Sequence, residues 1–153
     1  ISSAASDVYK RQGLTSAPAI GEYLARLIAE KLGLPVNDSF DPIRKGVPKV
    51  ADMPTEERAE LIRRDPRYGS IICRCEEVSE GEILDAVHGV LGAKTLDGVK
   101  RRTRAGMGRC QAGFCSPRVM EILSRELSLD LTDIRKSGKD SQIVLGRTRK
   151  EGE

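Results

Sequence analysis

A mainly α protein, built around a small domain of helix-turn-helix-like arrangement, follows from three observations. Apolar residues recur at helical spacing in several short stretches, each entered by a capping residue or a proline. Aromatic residues make up only 3% of the chain and Trp is absent, so any core rests on Leu, Ile, Val and Ala. All four cysteines fall in one stretch, as Cys73-x-Cys75 and Cys110-x4-Cys115, and such a marginal core usually needs a staple.

The chain opens on Ile1–Gln12 (ISSAASDVYKRQ), which has no helical or strand periodicity and resembles translated sequencing-adapter sequence. Residues 1–12 are therefore expected to be a non-native or disordered leader. Residues 13–34 hold one helix. Ser16 can cap it, Pro18 suits its first turn, and Ala17, Ile20, Leu24, Leu27 and Ile28 share a face. Lys31, Gly33 and Pro35 mark its exit. No neighbouring element offers to bury that face, which makes this the last helix of a larger, truncated domain. Residues 35–70 read as a linker, with Pro35, Pro42, Pro48, Pro54 and Pro66 spread through it. One short helix is expected there at Thr55–Arg64, capped by Thr55; the rest should be extended and surface-lying.

Residues 71–135 form the main domain, an all-α module of about three helices with minor strand content. Ile71-Ile72 suit a short strand into the first cysteine pair. Ser79-x-x-Glu82 is a capping box, and Ile83, Leu84, Val87, Val90 and Leu91 follow at helical spacing as far as Gly92. Thr95 starts a second helix, with Leu96 and Val99 inward and Lys100, Arg101, Arg102 and Arg104 outward, until Gly106-Met107-Gly108 breaks it. Ser116 and Pro117 stand at the cap and first turn of a third, whose buried face is Val119, Met120, Leu123 and Leu127. Leu131–Ile134 should dock on the core. Residues 136–153 are a polar extension, in which Gln142–Leu145 suit one strand and the last five residues should fray.

Charge narrows the function classes. Charged residues reach 32%, yet the formal net charge is only +3, too small to imply a nucleic-acid partner. The basic run Lys100–Arg104 reads as a solvated face or a docking patch for an electron partner. No run of 18 apolar residues offers a membrane span, and no leader suggests secretion. Four cysteines in so charged a chain point to a reducing compartment, the cytoplasm, where ligation outcompetes disulfides. His88, the sole histidine, is expected mid-helix in a packing or boundary role, because a Rieske-type centre needs two histidines. Glu76 and Glu77 belong in the turn before the first helix of the domain, with no catalytic work.

Two cysteine pairs with 34 residues between them read as a metal–sulfur site. A Cys73–Cys75 disulfide would be strained. Structural zinc and an iron–sulfur cluster both stay open on spacing: C-x-C is unusual for zinc, and the plant-type ferredoxin pattern is absent. Gly113 should take positive φ and let the second loop fold around inorganic sulfide. The helix starts at Ser79 and after Cys115, together with Arg74 and Arg109, would supply positive potential. A four-thiolate [2Fe–2S] centre carries about −2 oxidised and −3 reduced, so such donors raise its reduction potential.

Cys73-Arg74-Cys75-Glu76, followed by Thr103-Arg104-Ala105-Gly106-Met107-Gly108-Arg109-Cys110-Gln111-Ala112-Gly113-Phe114-Cys115, resembles the [2Fe–2S]-binding domain related to bacterioferritin-associated ferredoxin. The resemblance is to the version at the C-terminus of FAD-dependent, anaerobic-type glycerol-3-phosphate dehydrogenases and related FAD-dependent oxidoreductases. It runs from about Arg67 to Arg149 and includes Asp133-Ile134-Arg135-Lys136-Ser137-Gly138. It implies that Cys73, Cys75, Cys110 and Cys115 hold the cluster. Gly13–Ala19 (GLTSAPA) is similar to the final flavin-binding segment of the same class, which implies contacts from Thr15, Ser16 and Ala17 to FAD at a helix N-terminus. The dinucleotide fingerprint G-x-G-x-x-G is absent, as is any substrate base, so a C-terminal fragment of the enzyme is expected. The implied partners are the upstream FAD domain of the same polypeptide and an acceptor protein or quinone-linked subunit. The implied reaction oxidises sn-glycerol 3-phosphate to dihydroxyacetone phosphate. A zinc-stapled interaction module and the cluster domain of an opine- or amino-acid-oxidising flavoenzyme are the alternatives.

Overall fold

The computed structural model describes residues 3–43 and 46–148, with side chains from residue 13 onward. The chain divides into two compact units, Ile1–Arg44 and Lys45–Glu153. Among the described residues no helix is long and apolar enough to cross a membrane.

The first unit is one helix, α1 (Ser3–Leu32). Its C-terminus follows the sequence reading: Gly33 sits at φ +61, and the Leu34 N–H donates back to the Ala29 carbonyl at 3.0 Å, the Schellman pattern. Its start corrects that reading, because α1 begins at Ser3 rather than at Ser16 and Pro18 lies inside it. No Gly or Pro interrupts residues 3–12, so backbone propensity carries a helix there without an apolar stripe. Ser16 Oγ donates to the Gly13 carbonyl at 3.5 Å instead of capping a new helix. Ile20, Leu24, Leu27 and Ile28 form the expected stripe and remain exposed.

The second unit is the helical domain, mainly α as its sequence implies. Helices α2 (Thr55–Arg64), α3 (Glu80–His88), α4 (Leu96–Thr103) and α5 (Ser116–Leu127) accompany a two-stranded antiparallel hairpin, β1 (Ile71–Cys73) and β2 (Val78–Ser79). The core forms where β1, α3, α4 and α5 meet, around Ile72, Val78, Ile83, Val99, Met120 and Leu123. Thr95 Oγ1 accepts from the Gly98 N–H at 3.0 Å, and the Arg135 and Lys136 carbonyls accept from Leu96 N–H at 3.1 Å and Asp97 N–H at 2.8 Å. The C-terminal segment thereby caps α4. Ile134 docks in the core as expected, while Leu131 is exposed. Gln142–Leu145 forms no strand; its pairing is a single bridge between Arg135 and Gln142. The last five residues, expected to fray, lie outside the described residues.

Ser79 and Glu82 form the capping box read from sequence, and both are buried. The Glu82 carboxylate accepts from Ser79 N–H at 2.7 Å, Ser79 Oγ at 2.6 Å and, from far upstream, Val50 N–H at 3.4 Å. That last bond belongs to a correction. The segment before β1 is not wholly surface-lying: Val50 and Tyr68, in 3₁₀ turns at Val50–Asp52 and Pro66–Gly69, are buried. The Tyr68 hydroxyl bonds Asp85 on α3, and its ring lies flat over Gly81. Helix α2 has the expected bounds, although Pro54 rather than Thr55 stands at its cap and none of its residues is buried.

Two further expectations fail at the end of α3. The helix stops at His88, where Gly89 (φ −60, ψ 164) turns the chain outward, so Val90 and Leu91 are 96% and 67% exposed. His88 is exposed at this terminus, and its Nε2 meets Glu126 Oε2 at 2.7 Å. At the start of α5, Cys115 rather than Ser116 occupies the cap position.

A Cβ at position 81 would lie 2.6 Å from Tyr68 Cγ, closer than any relaxed carbon contact. Gly81→Ala should therefore destabilise the domain by about 1–3 kcal/mol through overpacking. Chemical denaturation checks this, and an unshifted midpoint would mean the ring slides aside freely.

Candidate metal centre

Two loops bring the cysteines together. The first is the hairpin turn: Cys73 ends β1 facing the core, the chain reverses through Glu77 at φ 51, and Cys75 sits exposed on the turn. In an extended strand residues two apart share a face about 7 Å from each other; the turn instead leaves Cys73 buried and Cys75 exposed. The second loop joins α4 to α5. Arg104 leaves α4 in the left-handed region (φ 68), and Gln111 and Ala112 take φ 48 and 71. The positive φ expected at Gly113 thus falls on the two residues before it. Gly113 instead donates its N–H to the Cys110 carbonyl at 3.0 Å, and a Cβ there would stand 3.2 Å from that oxygen, a tight contact. Cys110 lies on this loop, half-buried, and Cys115 ends it, buried at the head of α5.

The loops touch at Gly108, where an added Cβ would stand 2.2 Å from the Cys75 Cβ. They are tied a second time by charge, since Arg104 Nε donates to Glu76 Oε2 at 2.8 Å. Glu76 follows Cys75 directly, so this ion pair fastens the first loop to the end of α4. Composition and periodicity gave no sign of either contact. The regular order of glycines around a cysteine was the available signal for the first.

All four cysteines line one cavity of about 480 Å³ together with Arg74, Arg109, Phe114 and Arg118. Within it the thiols influence one another electrostatically: Cys75 acts on Cys110, and both Cys73 and Cys110 act on Cys115. Among the described residues no group of three or more His, Cys, Asp or Glu side chains gathers on one point able to hold a single metal ion. The Gly106 N–H donates to Cys73 Sγ at 3.5 Å. The Phe114 N–H, with help from Cys75, holds the Cys110 thiol below its ordinary range. Burial, and the neighbouring Cys73, push the Cys115 thiol up to about 11.

The positive environment differs in part from expectation. Arg74 and Arg109 line the cavity as their positions beside cysteines implied, and Arg118, one helical turn beyond Cys115, joins them. The N-terminus of α5 opens at Cys115, but no residue of α3 lines the cavity. The first turn of α3 faces its own capping box, and Ser79 Oγ with the Glu82 carboxylate already occupies that end. Thr15, Ser16 and Ala17 lie in the middle of α1, where backbone N–H groups bond one turn back instead of pointing outward at a ligand.

Four thiols in a cavity with backbone N–H donors, glycine-permitted close approach and three arginines make a fitting cradle for an anionic sulfur-ligated centre. The chain thus carries a domain with the cradle of a cysteine-ligated metal–sulfur centre. Residues 71–125 match the BFD-like [2Fe-2S] binding domain, and that segment belongs to it. The chain is 50% identical over 142 residues to a glycerol 3-phosphate dehydrogenase of Caloramator mitchellensis, a match covering 91% of this chain and 29% of that protein. It is 35% identical over 129 residues to the hydrogen cyanide synthase component HcnB of Pseudomonas aeruginosa, covering 80% and 24%. To a component of the anaerobic glycerol-3-phosphate dehydrogenase of Escherichia coli K12 it is 29% identical over 126 residues, covering 69% and 23%. The chain therefore spans less than a third of the length of these relatives. No solved structure matches it significantly.

The two thiol environments predict an order of alkylation in the metal-free chain. A thiol whose pKa is lowered forms its nucleophilic thiolate earlier as pH rises, and one that is raised forms it later. At about pH 8, near the ordinary thiol range, iodoacetamide should modify Cys110 well before Cys115. Cys115 catches up only as the pH approaches its raised value of about 11. Peptide mass spectrometry over time reads the order, and equal rates in the lower range would contradict the described environments.

Proposed function

We propose that Cys73, Cys75, Cys110 and Cys115 hold a [2Fe–2S] cluster that relays single electrons in an FAD-dependent oxidoreductase, a glycerol-3-phosphate dehydrogenase. The observation that carries this reading is the convergence of all four thiols on one cavity, inside the segment that matches the BFD-like [2Fe-2S] binding domain. A structural zinc ion needs its four donors tetrahedral about one point at about 2.3 Å, whereas a two-iron centre divides four thiolates between two metals. The match of residues 71–125 to the BFD-like [2Fe-2S] binding domain favours the second.

When bound, the cluster supplies one-electron storage, which a two-electron flavin chemistry needs in order to feed a one-electron acceptor. The chain's own residues do the rest. Gly108 and the Arg104–Glu76 pair fix the spacing of the two loops. The Gly106 and Phe114 N–H groups stabilise negative charge on sulfur, and the three arginines favour the reduced, more anionic form. The FAD-binding part would lie upstream in the same polypeptide, with Thr15, Ser16 and Ala17 as its candidate flavin contacts on the strength of the resemblance. The acceptor would be a protein or a quinone-linked subunit, and the site of action the cytoplasm. Oxidation of glycerol 3-phosphate to dihydroxyacetone phosphate is supported by the 50% identical relative. The similarity to a hydrogen cyanide synthase component favours a second reading, in which the same domain serves a flavoenzyme with another substrate.

Anaerobic purification of the full chain should give a brown protein with about two irons and two sulfides per chain. Cys75→Ser or Cys110→Ser should bleach the visible bands and loosen the domain. A colourless, zinc-loaded protein would overturn the relay.

A further inference from the structure

The four cysteines are not equally accessible. Cys73 and Cys115 are buried at 1% and 3% exposure, while Cys75 is exposed and Cys110 half-buried. The Cys75–Cys110 side is therefore the open side of the cavity, and its rim has an unusual make-up. Phe114, one of only two phenylalanines in a chain without Trp, stands 86% exposed between Cys110 and Cys115. Arg74 and Arg109 flank it, both exposed, and neither makes an ion pair or hydrogen bond with any described residue. Arg118 extends the rim, with Glu121 only at 3.9 Å.

We propose that this rim, resting on the cluster reading above, is the docking surface for an acidic one-electron carrier protein. An exposed aromatic on the same cavity rim as Arg74 and Arg109, which meet no carboxylate among the described residues, matches an interface core with a charged border. Unpaired arginines steer a partner of opposite sign, an effect screened over about 10 Å at 0.1 M salt. Transfer rate falls steeply with distance, so the exposed cysteine pair is the route with the shortest gap. One electron crosses between the cysteine-held centre and the partner; one side is oxidised by one electron, the other reduced by one. No bond forms and no proton needs to move.

The test uses the full, cluster-loaded chain and fully reduced flavodoxin, an acidic one-electron donor, in anaerobic stopped flow that follows bleaching of the cluster. Wild-type second-order rates should fall steeply with added salt. Arg74→Gln/Arg109→Gln should lower the low-salt rate roughly tenfold or more and flatten the salt dependence. Phe114→Ala should slow transfer severalfold while keeping the salt slope, and it decides the matter if the double variant loses its cluster. Rates and slopes equal to wild type would overturn the proposal. So would an arginine variant with a shifted midpoint potential but an unchanged salt slope, because the arginines would then only balance the cluster's charge. A wild-type chain without iron and sulfide is a separate result, visible before any rate is taken, and it removes the cluster reading and this surface together.

Discussion

The close approach of two backbones is the constraint on which the site depends. Cys75 can reach the cavity that Cys110 and Cys115 share only because nothing stands on Gly108. The Arg104–Glu76 pair then keeps the two loops from sliding past each other. Close packing at Gly108 and the charge pair together hold the two cysteine-bearing loops against each other.

The rest of the domain can be read as support for those loops. Helix α5 starts at Cys115 and buries Val119, Met120, Ile122 and Leu123, so its packing fixes where the second loop ends. Helix α4 ends at Arg104, where the same loop begins, and its own start is held by carbonyls from Arg135 and Lys136. The polar C-terminal stretch, which has little apolar content to offer a core, contributes through backbone hydrogen bonds. Ile134 anchors it.

What was legible in the letters was local, and what was not depended on a partner far along the chain. The capping box at Ser79 and Glu82, the bounds of α2 and the inward faces of α4 and α5 all follow from neighbours within a few residues. Val90 and Leu91 continue the apolar spacing of α3, but Gly89 turns the backbone before they can pack, and periodicity does not register that turn. Positive φ fell on Gln111 and Ala112 rather than on Gly113, which sits close beside the Cys110 carbonyl; a glycine in a loop does not announce which of its freedoms is used. The four cysteines, read from spacing as a metal–sulfur site, line one cavity; the exposure of Cys75 and the burial of Cys73 and Cys115 are properties of the folded loops alone.

The bond from Val50 N–H to Glu82 and the seat of the Tyr68 ring on Gly81 bear on where this module could be excised. A clone starting at Ile71, the first residue of the family match, would discard both. It would strip a donor from an interior carboxylate and open an apolar floor above α3 to water. A self-standing version has to begin ahead of the Val50 turn, so the evolutionary unit and the physical unit have different left-hand edges.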